Sequence, residues 1–140
     1  MYYDKQDLKY ISKLNQRVLS RKSQFFKRNL HINGKETDVK IHRCKNAECF
    51  KLAIEGYKTL PEKIAFLLIH QTKEKIMTFR NDAEVILTNY RDNKVIELDQ
   101  VDNCNFNFDV KKMPSYNIWV VKSGTIAFYN IKLNDIIYVR

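Results

Sequence analysis

From Asp7 to Phe26 the apolar residues Leu8, Ile11, Leu14, Val18 and Phe25 recur at intervals of three, three, four and seven, with no Gly or Pro among them. That spacing lines one face of a helix with 3.6 residues per turn, so it predicts a long amphipathic helix. The period then falls to two. Thr37, Val39 and Ile41 alternate with polar neighbours, and Asn33-Gly34 supplies the two positive-φ residues of a type I′ turn. A β-hairpin is expected around that dipeptide.

A short helix is predicted next. Asn46 can act as its N-cap, Glu48 suits the positive end of the helix dipole in the first turn, and Gly56 can end it in the left-handed conformation. Pro61 prevents its continuation. Short β-like runs follow at roughly ten-residue spacing: 64–70, 75–80, 84–90, 94–98, 105–110, 117–122 and 136–140. Ile64-Ala65-Phe66-Leu67-Leu68-Ile69 is apolar throughout, which marks a central strand covered on both faces, whereas Phe106, Phe108 and Val110 alternate with polar residues as on a strand with one wet face. The expected fold is α+β: an N-terminal amphipathic helix, a hairpin and a short helix packed on a curled antiparallel sheet or partial β-barrel. Residues 1–30 read as a basic helical extension and 31–140 as one compact β-rich domain.

Composition supports a folded protein and moves attention to one end. The 140 residues are 44% hydrophobic and 29% charged, within the range of a single soluble domain. The formal net charge is +9. Residues 1–30 hold eight Lys and Arg against Asp4 and Asp7, while residues 31–140 hold 17 against 14, so most of the excess is local. A charge gathered on one element favours docking on an anion over general solubility. Three cysteines, no secretory apolar stretch and no run of eighteen apolar residues fit a reduced cytoplasmic compartment, with no membrane among the partners.

Within the predicted helix, Lys5, Lys9, Lys13, Arg17 and Arg21 fall at strict four-residue intervals. Like charges so placed repel by a few tenths of a kcal/mol per pair, so something acidic is expected to face them. The ridge spans about 24 Å as a slow spiral. With Lys22, Lys27 and Arg28 it forms a surface suited to phosphates, which points to a non-catalytic protein that contacts nucleic acid or ribonucleoprotein. Phosphate contacts position a protein without reading sequence. The competing class is a protein–protein module docking on an acidic partner surface, as a host-interaction factor or mobile-element inhibitor would. Tyr2, Tyr3 and Tyr10 could stack on bases or simply cover the core, and Trp119 reads as a core residue.

Catalytic and metal readings find less support. His42, Cys44 and Cys49 give an H-x-C-x4-C spacing without the four ligands a structural zinc site requires, so neither metal nor other cofactor is expected. Cys49 with His42 or His70 could be drawn as a nucleophile and base, yet no paired carboxylate, nucleophile elbow or Gly-rich phosphate loop accompanies them. An enzyme is not expected; a small metal-independent ribonuclease working through Lys, Arg and His is the catalytic alternative.

Several stretches carry a family resemblance: Ala53-Ile54-Glu55-Gly56-Tyr57-Lys58-Thr59-Leu60-Pro61-Glu62 with Ala65-Phe66-Leu67-Leu68-Ile69, then Met77-Thr78-Phe79-Arg80-Asn81, Tyr90-Arg91-Asp92-Asn93-Lys94-Val95, Ser123-Gly124-Thr125 and Asn130-Ile131-Lys132-Leu133-Asn134-Asp135. Over about residues 53–139 the chain resembles a divergent member of the domain-of-unknown-function 192 family, with Asn81, Gly124 and Asp135 as the best fixed points. Thr78 stands where the family has Trp, Leu87 where it has Asp, and Val120 where it has Glu. The resemblance therefore implies a retained scaffold whose polar site, if the family has one there, is lost. The basic helix lies outside it.

Overall fold

The computed structural model describes residues 24–44, 46–57, 59–71, 76–78, 82–102, 105–107 and 115–140. Two strands open the described chain, β1 (Gln24–Ile32) and β2 (Lys35–Cys44). They pair antiparallel, with Ile32 opposite Lys35 around Asn33 (φ 51°) and Gly34 (φ 84°). Both turn residues are left-handed, as a type I′ turn demands, and Gly pays no steric cost for it. The predicted hairpin is present.

The predicted helix meets the sheet earlier than its periodicity suggests. Its positions up to residue 23 lie outside the described residues, while Gln24, Phe25 and Phe26 belong to β1, where Gln24 pairs with Arg43 and Phe25 with His42. Lys27 and Arg28 are therefore strand residues, not helical ones. Local periodicity gives way here to a cross-strand ladder that the sequence pattern does not contain. The boundary drawn at residue 30 falls inside β1, and Leu30 is a core residue.

Helix α1 (Ala47–Glu55) is capped as expected: the Asn46 side chain accepts the Cys49 amide at 2.8 Å, which removes one of the orphan N–H groups of the first turn. Its end differs from expectation. Gly56 is right-handed (φ −66°) and donates to Leu52 O at 3.0 Å, so the chain leaves the helix without a left-handed cap. Cys49, Phe50, Ala53 and Ile54 face inward.

The strands that follow are β3 (Ile64–Gln71), β4 (Ile76–Thr78), β5 (Asp82–Asn89), β6 (Val95–Asp102), β7 (Asn105–Asn107), β8 (Tyr116–Lys122) and β9 (Ile137–Val139), with a short helix α2 (Thr125–Phe128) between the last two. Seven form one sheet in the order β6-β5-β8-β3-β2-β1-β9, and β4 pairs with β7 separately. β3 holds the middle place, as its unbroken apolar run requires. The sheet is mixed and not wholly antiparallel, because β2 and β3 run parallel, Lys40 opposite Ile64 through Cys44 opposite Leu68. The crossover that contains α1 allows this, since two parallel neighbours need a long connection.

Each face of the sheet has its own core. Along β3, Phe66 and Leu68 point to the face covered by α1, where Phe50, Ile54, Tyr116, Ile118 and Val120 also pack. Ala65 and Leu67 point to the opposite face, with Leu30, Ile41, Ile86, Trp119 and Ile137. The sheet curls around this second cluster until residues leading into its edge strands touch. Lys94 bridges Ile136, Val95 N–H donates to Asp135 O at 2.7 Å, and Ile137 N–H donates to Asn93 O at 3.0 Å. Beyond this bridge the sheet stays unclosed. Inside the curl the buried Trp119 indole N–H donates to Thr88 Oγ1 at 3.1 Å, which satisfies a polar atom that would otherwise be desolvated for nothing.

Candidate functional site

Of the predicted cationic surface, Arg28 is the residue whose side chain is described, and it is exposed on β1. Lys27 shares the strand, but its side chain lies outside the described residues, as do Lys5, Lys9, Lys13, Arg17, Arg21 and Lys22. Around Arg28 the sheet collects further cations. Lys40 sits opposite Asn29 and its ammonium donates to Asn29 Oδ1, while the Arg140 amide donates to Asn29 O from the other side at 3.3 Å. Arg43 is exposed opposite Gln24, where β1 begins. The β2-β1-β9 margin thus continues the basic character of the segment that enters it.

Ion pairs on the described surface join lysines to carboxylates: Lys51 to Glu55 at 4.0 Å, Lys63 to Asp38 at 2.7 Å and Lys122 to Glu62 at 3.5 Å. Among the residues with described side chains, Lys and Arg equal Asp and Glu in number. The positive excess therefore lies in the rest of the chain, chiefly in residues 1–27, which hold seven Lys and Arg against Asp4 and Asp7.

A cleft of about 600 Å³ opens between the β1–β2 turn and the connector from α2 to β9, lined by Ile32, Lys35, Glu36, Asp38, Tyr129 and Lys132 among others. Its walls are clamped by Asn33, whose Nδ2 donates to Asp135 Oδ1 at 3.1 Å and whose Oδ1 accepts the Ile136 amide at 2.8 Å. Asp135 Oδ2 also accepts the Lys132 amide at 2.8 Å. Asn130 (φ 54°) and Asn134 (φ 71°) make the left-handed bends of the connector, a conformation Asn adopts more readily than most residues.

At the rim of the cleft the Tyr129 hydroxyl donates to Asp38, which also holds the Lys63 ammonium. Hydrogen bonds from Lys63 and Tyr129 hold the Asp38 carboxyl below its usual range. Burial, then the Asp38 bond, push the Tyr129 phenol up to about 12. Both groups move away from neutrality, so this string locks the rim rather than moving protons near pH 7, where acid–base catalysis works best.

His42, Cys44 and Cys49 come close together inside the α1 core. The Cys44 and Cys49 thiols are buried and hydrogen-bonded to each other, and that bond, with burial, pushes the Cys44 thiol up, away from the reactive thiolate. His42 is buried against Phe66 with ring centroids 5.1 Å apart. Desolvation pulls its imidazole down to about 3, so it is neutral at physiological pH. No group of three or more His, Cys, Asp or Glu able to hold a metal is found among the described residues. His70 lies on β3, but its side chain, like Cys104 and Tyr2, Tyr3 and Tyr10, is outside the described set.

The positions where the resembled family carries acids, Leu87 and Val120, are both buried in the α1 core. β5 and β8 place them on one face, with Val85 opposite Val120 and Leu87 two residues further along β5. A residue that sequence reasoning missed is Glu84. Its Oε1 accepts the Ile126 amide at 2.9 Å and caps α2, whose own N-cap, Gly124, has no side chain to do so. The separation of 42 residues leaves no local signal to find it by.

No protein-family model matches the chain, and no curated protein does. Solved structures do. A provisionally named transcription regulator from Sinorhizobium meliloti 1021 superimposes with a TM-score of 0.65 at 10% identity, covering 83% of this chain and 95% of its own. A protein of unknown function from Novosphingobium aromaticivorans DSM 12444 gives 0.60 at 13% identity, covering 78% and 82%. At these identities the likeness is one of fold. No helix among the described residues is long and apolar enough to cross a membrane.

Proposed function

We propose that this protein is a non-catalytic binder of polyanions, nucleic acid or ribonucleoprotein, working through the cations that precede and enter β1. The observation that carries this reading is the division of charge. The described part is balanced, with several carboxylates already engaged, whereas residues 1–27 concentrate Lys and Arg far in excess of Asp and Glu. A cationic segment attached to a neutral platform is drawn to a phosphate backbone while the platform itself is not. Arg28, Arg43 and Arg140 at the margin extend the contact onto the sheet.

The test is the salt dependence of binding to duplex DNA and to RNA. If Lys5, Lys9, Lys13, Arg17 and Arg21 each neutralise a phosphate of duplex DNA, log K falls against log salt with a slope near −4.5, at ~0.9 per contact. Replacing Lys9 and Lys13 by Gln reduces that slope by about two contacts' worth. Absence of binding at low salt, or a slope unchanged by both substitutions, removes the nucleic-acid reading and leaves an acidic protein surface as the partner to seek.

A further inference from the structure

Gly34 is the one glycine of the chain that follows an asparagine, and the pair sits at the tip of the β1–β2 hairpin with both residues exposed. Asparagine is among the thermolabile residues. It is most so before glycine, which puts no side chain in the way of attack by its own amide nitrogen. A side chain built at Gly34 would meet no described atom within 4 Å, so no neighbour shields that nitrogen either.

Asn33 differs from an ordinary exposed Asn-Gly turn in what its side chain holds. Its main-chain N–H donates to Ile136 O at 2.8 Å, its Oδ1 accepts the Ile136 N–H at 2.8 Å, and its Nδ2 donates to Asp135 Oδ1 at 3.1 Å. One residue thus ties the hairpin tip to the lead into β9, beside the Lys94–Ile136 bridge where the two ends of the sheet meet. The bond to Asp135 depends on the carboxamide nitrogen. Asp135 is an acceptor on both oxygens, its Oδ2 already taking the Lys132 N–H at 2.8 Å, and a carboxylate at position 33 has no proton to give it.

We propose that Asn33 is a hydrolytic modification site whose deamidation releases this clamp. The Gly34 amide nitrogen gives its proton to solvent and bonds to Asn33 Cγ. The Cγ–Nδ2 bond breaks, and Nδ2 leaves as ammonia, taking up a proton that solvent returns. Water then opens the cyclic imide at either carbonyl, leaving an aspartyl or an isoaspartyl residue. No oxidant or reductant takes part. Either product removes the nitrogen that bonds Asp135 and adds a negative charge to the turn. The isoaspartyl form also lengthens the main chain within the two residues that set the hairpin register. Asn33 and Asp135 both line the cleft, so its wall loosens with the clamp.

The same bonds set the rate. Gly34 N reaches Cγ when the carboxamide has left Ile136 and Asp135, so the reaction proceeds from the opened clamp. Two hydrogen bonds of ordinary net strength keep that form to roughly a tenth of the molecules. None of this involves an anionic partner, so it stands or falls apart from the reading of the cationic segment.

Peptide mass spectrometry of the full chain held at pH 8, with and without urea, follows conversion at residue 33. The expected result is loss of ammonia at Asn33 in the folded protein, roughly tenfold slower than in the unfolded chain and quickened severalfold by Asp135→Ala. Asn33→Asp stands for the aspartyl product, and in it hydrogen exchange at the Ile136 amide rises severalfold. Asn33→Asp with Asp135→Asn exchanges donor for acceptor, keeps an oxygen for the Lys132 N–H, and returns that exchange toward the parent rate. Three results would overturn the proposal: no conversion in the folded protein, conversion equally fast folded and unfolded, or Ile136 exchange that Asn33→Asp leaves unchanged or the paired substitution fails to restore.

Discussion

Replacing His42 by Leu should remove one proton from the acid unfolding of this protein. The ring is buried in the α1 core beside Phe66 and its pKa is lowered by desolvation from 6.5 to about 3. Because the folded value is depressed, the native state excludes a proton that the unfolded chain accepts. Its contribution is complete above pH 6.5 and is lost as pH falls toward 3. At about 1.4 kcal/mol per pH unit, moving from pH 7 to pH 4.5 costs the native state roughly 2.5 kcal/mol through this residue alone. Urea unfolding of the parent protein and of His42→Leu at pH 7, 6, 5 and 4.5 gives the two slopes. The variant's absolute stability shifts as well, because removing the ring also removes its contact with Phe66. The difference in slope isolates the proton. Parallel stability–pH lines below pH 6.5, or an NMR titration of His42 with a midpoint near 6.5, would refute the reasoning.

Three further outcomes follow from the geometry. Asn46→Ala deletes the cap of α1 and should cost about 1 kcal/mol, read as a fall in the midpoint of thermal or urea unfolding, with Asn46→Asp or Asn46→Ser retaining most of it. Thr88→Val keeps the shape but strands the buried Trp119 N–H, and should cost about 1–3 kcal/mol together with a change in tryptophan fluorescence; an unaltered unfolding midpoint would show that the indole finds another acceptor. Cys44 and Cys49 should resist a thiol reagent at pH 8 in the folded protein and react at once in denaturant, since both are buried and the Cys44 thiol is pushed up by its bond to Cys49; rapid labelling under native conditions would contradict their burial.

Much of the architecture is written in short-range pattern. Asn33-Gly34 can hardly be anything but a tight turn between two alternating runs, and Asn46 stands where an amide at Cys49 needs an acceptor. Residues 64–69 lack any polar position and so belong in the middle of a sheet. The candidate site was legible mainly as a charge pattern before β1. Its extension onto Arg43 and Arg140 was not, since it depends on which strands lie beside one another.

The features legible before folding are therefore local: the turn, the cap, the central strand, the ten-residue rhythm of strands and the concentration of cations near the start. Each depends on residues within a few positions of one another, where backbone preference and side-chain period act directly. Tertiary structure alone decided that Gln24–Phe26 join a ladder, that β2 and β3 run parallel, that Glu84 caps α2 and that Asn33 clamps Asp135 across 102 residues. These contacts form when chain closure brings distant segments together, and the energy that selects them is pairing and burial, which leaves no periodic mark on either partner taken alone.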